Sequence, residues 1–345
     1  MLGRKFALFK RLTAPIGFES GRILAKIVID VDPLMAIARQ FLAIALQLLI
    51  VLTLVFAAVR AVPGDPVDHL LGDHATVAER DALRARMHLN GPLHAQFLTM
   101  LGDFADGTLG SSRLDGAELP VRTLIARRLP DTIALAVAAL VAAILLSLPL
   151  GMGAAVWRDG LFDHGARAAA LLAISLPAFV SGPLALYAFA VWLPLLPTPA
   201  HDASPLVSLI LPALVLGFAL SGRLSRLLRA SLLEALSADF MAAARARGLS
   251  PARLLLRHAL PNAALPVITV LGLQLAALLS GALVTEKVFG RPGLGTLLLD
   301  GISARDYAVV QACVVLIGAS YAFINLAVDA LIRRLDPRLR VAVAR

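Results

Sequence analysis

Apolar residues in this chain come in long runs, and polar residues concentrate between them. A helix that crosses a bilayer needs about 20 mostly apolar residues. Six runs reach or approach that length, at about 37–59, 132–156, 168–193, 206–220, 263–284 and 309–331. The pattern therefore predicts an all-α membrane protein with six transmembrane helices.

The composition agrees with this interpretation. Hydrophobic residues make up 59% of the 345 residues and charged residues only 16%, whereas a soluble protein has roughly a quarter charged. A large apolar soluble enzyme is excluded, because its apolar runs would be shorter than a membrane span. The single cysteine, Cys313, leaves no partner for an intramolecular disulfide. The first 35 residues do not predict a cleavable signal peptide, since no continuous apolar core precedes an A-x-A site.

The positive charge follows the membrane pattern rather than a nucleic-acid-binding pattern. The formal net charge is +9, but the basic residues lie at the ends of apolar runs and form no single face or stripe. With the N-terminus placed in the cytoplasm, the inner segments hold twenty-one Lys and Arg, and the two shorter outer segments hold three. Short cytoplasmic loops carry an excess of Lys and Arg. Both termini are therefore expected in the cytoplasm.

The chain lacks the residues of an energy-coupling site. Ion-coupled carriers need ionisable groups at membrane depth, and the predicted spans two to five contain no Asp, Glu, Lys, Arg or His. A P-loop needs Lys after its last glycine, and the glycine-rich segment Gly290–Thr296 has none, so it is predicted to be a turn. H-E-x-x-H and G-x-S-x-G are both missing, and no catalytic residue is predicted. Uphill transport would therefore require energy from another chain.

The predicted loop at 221–262 is long and basic. Good helix formers over 231–247 predict one helix, and Gly248 then occupies a left-handed C-cap position. Ser250-Pro251 predicts a helix restart, and Pro261 is expected to end this second helix before the fifth span. From the residues alone, two roles remain open. The segment docks on another protein, or it lies on anionic lipid through Arg245, Arg247, Arg253 and Arg257.

The same loop resembles the EAA loop of binding-protein-dependent ABC transporter permeases, E-A-A-x3-G-x9-I-x-L-P. The matching segments are Ala242-Ala243-Ala244, Gly248 and His258-Ala259-Leu260-Pro261, with departures at Ala242 and His258. Further segments resemble the dipeptide/oligopeptide/nickel subfamily, first permease subunit type: Pro63-Gly64-Asp65-Pro66, Arg128–Thr132, Arg305-Asp306-Tyr307, Val309-Val310-Gln311 and Leu335–Arg338. The resemblance covers roughly residues 37–340.

The resemblance implies a MetI-like type I ABC importer permease core in the bacterial cytoplasmic (inner) membrane. A small external subdomain is expected between spans one and two. The implied division is a cytoplasmic extension at 1–36, a first transmembrane helix at 37–59, an external subdomain at 60–129, a core at 130–331 that includes the coupling loop 221–262, and a cytoplasmic tail at 332–345. The chain would be a transport subunit without a cofactor of its own, because ATP is bound and hydrolysed by partner subunits.

The implied partners are a second homologous permease subunit, two cytoplasmic ATPases and an external substrate-binding protein, all meeting at the lipid bilayer. A short helix around Gly248, Leu249 and Ser250 is expected to enter a cleft of an ATPase. The residues assigned to this coupling are Ala243, Ala244, Arg245, Arg247, Gly248, Leu249, Ser250, Leu260 and Pro261. Pro63, Gly64, Asp65 and Pro66 are assigned to the external loop that meets the binding protein. No metal is expected at Asp65, Asp68, His69, Asp73 and His74, because such pairs in solvated loops are usually unliganded.

The expected substrates are di- and oligopeptides. The same machinery in related systems would serve nickel, a metal chelate, glutathione or another peptide-like conjugate, and the sequence leaves these alternatives open. An ion-coupled secondary carrier and a membrane enzyme are disfavoured, because buried ionisable groups and a nucleophile or paired carboxylates are missing. A helix is expected at 77–87, and Pro177, Pro183, Pro212 and Pro266 are expected to interrupt spans three to five.

Overall fold

The computed structural model describes residues 33–61, 67, 75–86, 89–114, 116–197, 204 and 206–335. The helices are α1 Pro33–Ala61, α2 Val77–Arg86, α3 Leu93–Ala105, α4 Val121–Val156, α5 Leu161–Ser175, α6 Ala178–Leu186, α7 Val207–Ser237, α8 Asp239–Ala246, α9 Pro251–Arg253, α10 Leu260–Gly281, α11 Leu283–Val288, α12 Leu294–Ser303 and α13 Tyr307–Leu335. Two π-helical segments cover Tyr187–Trp192 and Leu254–Ala259. Strands β1 Ser111–Ser112 and β2 Leu119–Pro120 pair antiparallel, with Ser111 opposite Pro120.

The described residues contain five helices that are long and apolar enough to cross a membrane, or six if a bent pair of helices counts as one span. The prediction of an all-α membrane protein is confirmed. α4 begins at Val121, so the predicted boundary at residue 130 between external subdomain and core falls inside this helix. The helix predicted at 77–87 is confirmed as α2.

The third predicted span is bent rather than straight. α5 and the run Ala178–Trp192 meet at an angle of 104°. Leu176 and Pro177 at the break both have extended backbones, with ψ of 111° and 145°. Proline has no N–H to donate and disfavours a helical conformation in the residue before it, which explains the break at this point.

The other prolines do not interrupt their helices, and that part of the prediction is wrong. Pro212 lies inside α7 and Pro266 inside α10, while Pro183 lies inside α6. α4 also contains Pro130 and Pro149. Prolines are tolerated in membrane helices where neighbouring helices and local widening of the turn accommodate the lost hydrogen bond.

Three helices pack closely through small residues. Gly217 of α7 lies against Ala139 and Ala142 of α4, and Gly151 of α4 lies against Ser225 and Leu228 of α7. Residue numbers rise together along both helices, so α4 and α7 run parallel. Gly222 of α7 touches the backbone of Ala170 on α5, and Asp163 of α5 binds Arg229 of α7, so α5 runs antiparallel to α7. Small residues allow helix backbones to approach in a membrane, where dispersion forces drive packing.

The chain divides into two compact units, residues 1–47 with 330–345, and residues 48–329. The described part of the first unit is the start of α1 and the end of α13. In the described chain, the clusters of buried apolar side chains all lie in the second unit.

The segment between α1 and α4 forms a small subdomain within the second unit. Thr76 and Glu79 make reciprocal hydrogen bonds at the start of α2, of 2.8 Å from the Thr76 amide and 3.4 Å from the Glu79 amide, which is a capping box. Arg60 at the end of α1 donates to the Gln96 side chain of α3 at 2.9 and 3.0 Å and lies 3.6 Å from the Phe56 ring centroid. These contacts attach α3 to the end of the first span.

A buried carboxylate joins α5 to α7. Asp163 is fully buried and accepts hydrogen bonds of 2.7 and 2.6 Å from the Arg229 guanidinium. Arg167 and the Asp159 amide donate to the same carboxylate at 3.1 and 3.0 Å. Each carboxylate oxygen therefore has a partner, which a buried charge requires.

Substitution of Gly217 tests the contact between α4 and α7. An added Cβ would lie 2.5 Å from the Ala142 Cβ and 3.0 Å from the Ala139 oxygen. We expect Gly217→Val to lower the free energy of unfolding by about 2–3 kcal/mol, as overpacking does. Denaturant unfolding in detergent, followed by circular dichroism, measures it. Gly165→Ala on α5 is the control, because nothing would lie within 4 Å of the added Cβ and alanine favours a helix. Equal stability of both variants would contradict the packing.

Substitution of Asp163 tests the buried ion pair. Asp163→Asn leaves Arg229, whose side chain is 20% exposed, without its charge partner. We expect the free energy of unfolding to fall, because removing one partner of a buried pair leaves the other charge uncompensated. Asp159→Asn is the matched control, since the Asp159 side chain is 69% exposed and surface pairs contribute under about 1 kcal/mol. The double variant Asp163→Asn/Arg229→Gln should recover part of the loss. A loss no greater than that of the control would contradict the role of this pair.

Candidate functional site

The segment predicted as a loop at 221–262 is almost entirely helical. α7 continues from Val207 to Ser237 without a break. The helix of the predicted fourth span therefore does not end near residue 220, and that predicted helix boundary is wrong. The single helix predicted over 231–247 is also wrong, because Ala238 adopts an extended conformation with ψ of 152° and separates α7 from α8. Ser237 and Asp239 flank this break, and such residues favour helix ends. That signal was available in the sequence.

α8 is a short helix with one buried face. Met241 is fully buried and Ala244 is 8% exposed, whereas Ala243 and Arg245 are exposed. Phe240 is also exposed, at 44%. The Arg245 guanidinium donates to the Leu236 carbonyl at the end of α7 at 2.9 Å. α8 therefore has a firmly packed inner face and an outer face open to a partner.

A glycine turn connects α8 to the next helix. Gly248 has φ of +75°, which confirms the predicted left-handed position, and its amide donates to the Arg245 carbonyl at 2.9 Å. Ser250 has an extended backbone and Pro251 begins α9, which confirms the predicted restart. A residue with a side chain adopts this φ only with strain, so the turn depends on glycine. Arg247 and Ser250 are exposed and Leu249 is half-buried.

The helix that starts at Pro251 does not stop at Pro261, and the prediction of a separate second helix is wrong. The helical run continues from Pro251 to Leu279 through the π-helical segment Leu254–Ala259. The Leu260 amide reaches back five residues to the Leu255 carbonyl, and Asn262 donates its side-chain amide to the His258 carbonyl at 2.7 Å. This wider turn accommodates a proline that would otherwise clash with the preceding turn. Leu260 is half-buried and Pro261 exposed.

α8 belongs to one hydrophobic cluster with three long helices. Met241 and Ala244 of α8 pack in a cluster of buried residues with members on α4, α7, α10 and the π-helical segment before α10: Ala143, Ala155, Leu224, Leu228, Leu232, Ala235, Leu254, Ala259, Ala263 and Val267. The Asp163–Arg229 pair lies at the same end of α7, two turns before its last residue. A force on the outer face of α8 would therefore reach all three spans through packed side chains.

The glycine-rich segment Gly290–Thr296 lies at the opposite end of the bundle and is a turn followed by the start of α12. The Gly295 and Thr296 amides donate to the buried carboxylate of Glu286 at 2.8 and 3.2 Å. The Thr132 hydroxyl of α4 donates to the same carboxylate at 2.6 Å and accepts from the Leu294 amide at 2.8 Å. The amides at this helix start thus bind the protein's own carboxylate in place of a phosphate.

Two further contacts attach this turn to the spans. Arg291, 7% exposed, donates to Asp131 at 2.8 Å and to the Ser208 hydroxyl at 3.2 Å. Asp131 precedes Thr132 on α4, and Ser208 lies in the first turn of α7. The starts of α4 and α7 therefore lie at the same end, as their parallel packing requires.

A polar cavity of about 120 Å³ lies between the subdomain and the start of α13. Arg60, Asp103, Asp306 and Gln311 are among its lining residues. Burial raises the pKa of Asp306, an effect that hydrogen bonds from the Ser112 hydroxyl and from the Val309 and Ala308 amides oppose. These hydrogen bonds tie the β1 strand to the start of α13.

The structure brings the predicted coupling residues into one continuous segment, but it does not describe every predicted position. Pro63, Gly64, Asp65 and Pro66 lie outside the described residues, as do Asp68, His69, Asp73 and His74. In the ranges that are described, no group of three or more His, Cys, Asp or Glu side chains could hold a metal ion.

Sequence reasoning missed Asp163, Arg229 and Glu286. The Asp163–Arg229 pair spans 66 positions, and Glu286 precedes the glycine-rich turn whose amides it binds. An isolated acid beside an apolar run was the available signal, because such a residue needs a partner. The sequence did not indicate which residue that partner would be.

Comparison with known proteins identifies the family. Residues 147–341 match the family described as "Binding-protein-dependent transport system inner membrane component". The glutathione transport system permease protein GsiC of Salmonella typhimurium is 38% identical over 304 residues, which cover 88% of this chain and 98% of that protein. GsiC of Escherichia coli K12 has the same identity and coverage. GsiC of Pectobacterium atrosepticum is 39% identical over 302 residues, 88% of this chain and 97% of that protein.

Solved structures agree at the level of the fold. A chain of the MetNI methionine ABC transporter in an inward-facing conformation superposes with a TM-score of 0.51 at 18% identity, and covers 63% of this chain and 98% of the MetNI chain. A second crystal form of MetNI gives a TM-score of 0.50 with the same coverage. The chain therefore belongs to the family of binding-protein-dependent transport system inner membrane components and is a permease subunit of an ABC importer.

Proposed function

We propose that this permease subunit pairs with a second, homologous permease and imports small peptides, with glutathione as the first candidate. The observation that carries the substrate class is the 38% identity to glutathione permeases over 98% of their length. The second candidate is di- and oligopeptides, which the motifs of the peptide/nickel subfamily favour. Two cytoplasmic ATPases and an external binding protein complete the proposed importer.

α8 is the proposed ATPase contact. Its outer face offers Phe240, Ala243 and Arg245, and its inner face is anchored by Met241 and Ala244. The sequence predicted a contact helix around Gly248, Leu249 and Ser250. In this proposal the contact helix is α8 instead, because the residues after Ser250 continue into α10. Gly248 would then form the turn that connects the docked α8 to the helical run that continues into α10. Arg245 and Arg247 would pair with acids of the ATPase.

The proposed orientation places α8 and both termini in the cytoplasm. The predicted inner segments hold twenty-one Lys and Arg, against three in the shorter outer segments, as the positive-inside rule requires. The subdomain of α2, α3 and the β1–β2 hairpin would then face the binding protein. The chain is proposed to lie in a bacterial inner membrane and to bind no ATP itself.

The turn at Gly248 can be tested in the assembled importer in proteoliposomes. Gly248→Val places a β-branched residue at φ of +75°, which costs roughly 1–2 kcal/mol and redirects the turn. We expect uptake and transport-stimulated ATP hydrolysis to fall together by roughly tenfold. Gly165→Val on α5 is the control for added bulk, because nothing would lie within 4 Å of an added Cβ there, as at Gly248, and the position is outside the proposed ATPase contact. Full uptake by the Gly248 variant would refute the coupling role.

The docking face can be mapped by cross-linking. Cys313 is the only native cysteine and is buried, so an introduced cysteine can be labelled selectively. We expect Ala243→Cys, labelled with benzophenone maleimide, to cross-link to the ATPase on illumination. Ala85→Cys, on an exposed position of α2, is the control and should not react with it. Cross-links from both positions, or from neither, would contradict docking at α8.

Uptake in the same vesicles tests the substrate. With the cognate binding protein and ATP, we expect saturable accumulation of labelled glutathione that unlabelled glutathione inhibits. Parallel assays with labelled dialanine, a pentapeptide and Ni²⁺ are the comparisons. Accumulation of the peptides without glutathione would favour the second candidate, and accumulation of Ni²⁺ alone would contradict both.

A further inference from the structure

An apolar pocket of about 320 Å³ lies between the last turns of α1, the end of α12 and the first turns of α13. Its apolar lining is Val55, Ala58, Val59, Ile302, Val310 and Val314. Arg305 and Tyr307 are the two lining residues with polar groups. The described lining of the pocket is therefore apolar apart from these two residues, and Arg305 is its one cation.

The pocket lies near the ends of two candidate membrane spans. The span of α1 ends at Ala61 and that of α13 begins at Tyr307, and the Arg60 guanidinium lies 5.4 Å from the Tyr307 ring centroid. At 1.5 Å per residue, Val55 and Val314 lie about 9 and about 10 Å below these ends. The pocket therefore lies within about 10 Å of the ends of two candidate spans, and we place it at the depth where a phospholipid acyl chain begins.

Arg305 has an unusual backbone. Its φ is +55°, and the amides of Arg305 and Asp306 donate to the Ile302 and Gly301 carbonyls at 3.2 and 2.8 Å. This arrangement is a Schellman motif at the end of α12, whose left-handed position is usually glycine. An arginine there is strained, and such a strained residue points to a function for its side chain. Within the described residues, its guanidinium has no ion-pair partner.

We propose that this pocket binds one acyl chain of a membrane phospholipid, whose phosphate accepts hydrogen bonds from Arg305. The valine and alanine lining matches the acyl chain, and a guanidinium fork matches the phosphate oxygens. Tyr307 lies at the level where aromatic residues meet the headgroups. A free phosphate ion fits only the cation and leaves the apolar volume unused. The inference depends on the membrane spans and not on the proposed substrate.

Photolabelling tests the proposal. The full-length chain is placed in nanodiscs of phosphatidylglycerol and phosphatidylethanolamine that contain a trace of phosphatidylglycerol with a diazirine near the carbonyl end of one acyl chain. We expect labelling of residues 55–59 and 310–314 to exceed labelling of the exposed apolar residues Val137, Val141 and Leu145 on α4. Unlabelled phosphatidylglycerol should compete, whereas inorganic phosphate and diacylglycerol should not. Uniform labelling of both surfaces would overturn the proposal.

Variants separate lipid binding from folding. Arg305→Gln should reduce labelling of the pocket by roughly tenfold, the loss of one charge-assisted hydrogen bond. Arg305→Gly should reduce it equally while the thermal unfolding midpoint stays level or rises, because glycine relieves the strained backbone. Ala58→Phe should abolish labelling by filling the pocket. Arg158→Gln is the control, since the Arg158 side chain is 66% exposed and does not line the pocket.

The alternative occupant is the second permease subunit. In the assembled importer, a cysteine introduced by Ala58→Cys should remain accessible to a lipid-soluble maleimide and should not cross-link to that subunit. Cross-linking to the second permease, with loss of lipid labelling in the assembled importer, would overturn the lipid proposal. Unchanged labelling in both Arg305 variants would overturn it as well.

Discussion

The close parallel contact between α4 and α7 is the constraint on which the rest of the structure depends. Gly217 and Gly151 bring the two backbones within reach of each other's carbonyl and alanine groups. In a membrane, apolar side chains gain little by leaving lipid for a neighbouring helix, so close backbone approach supplies much of the association energy. Because α4 and α7 run in the same direction, the chain must cross back between the end of α4 and the start of α7. α5 begins this return and runs antiparallel to both helices. Gly222 admits α5 to the same face of the bundle.

Buried carboxylates close this bundle at its two ends, and their charges are satisfied in different ways. Asp163 is paired with the arginines of α5 and α7. Glu286 accepts hydrogen bonds from backbone amides at the start of α12 and from the Thr132 hydroxyl. A buried charge needs several such partners, so each carboxylate fixes the relative positions of the elements that supply them. The apolar middle of the bundle contains no comparable interaction in the described residues, which leaves the ends as the places where register is defined.

α8 packs against this same bundle. α8 is short, but its buried residues belong to the same cluster as α4, α7 and α10. The turn at Gly248 leads into a helix that enters the membrane without interruption, through the π-helical segment before Pro261. In the proposed docking, movement of α8 would therefore act on packed helices rather than on a flexible loop. Arg305 and the apolar pocket lie at the other end of the bundle, so the proposed lipid contact and the proposed ATPase contact would act on opposite ends of the molecule.

The sequence by itself determined the membrane class, the positions of the long apolar helices and the turn chemistry. Apolar run length reports bilayer thickness directly, and Gly248 and Ser250-Pro251 act through local backbone preferences, so neither depends on distant residues. The sequence was less informative about where helices end. Pro177 breaks its helix whereas Pro212, Pro261 and Pro266 do not, because packing and a π-helical turn decide whether a lost hydrogen bond is tolerated. Only the tertiary structure paired Asp163 with Arg229 and Glu286 with Thr132. Those partners lie 66 and 154 positions apart, and the contact follows from how the helices pack, which no local pattern records.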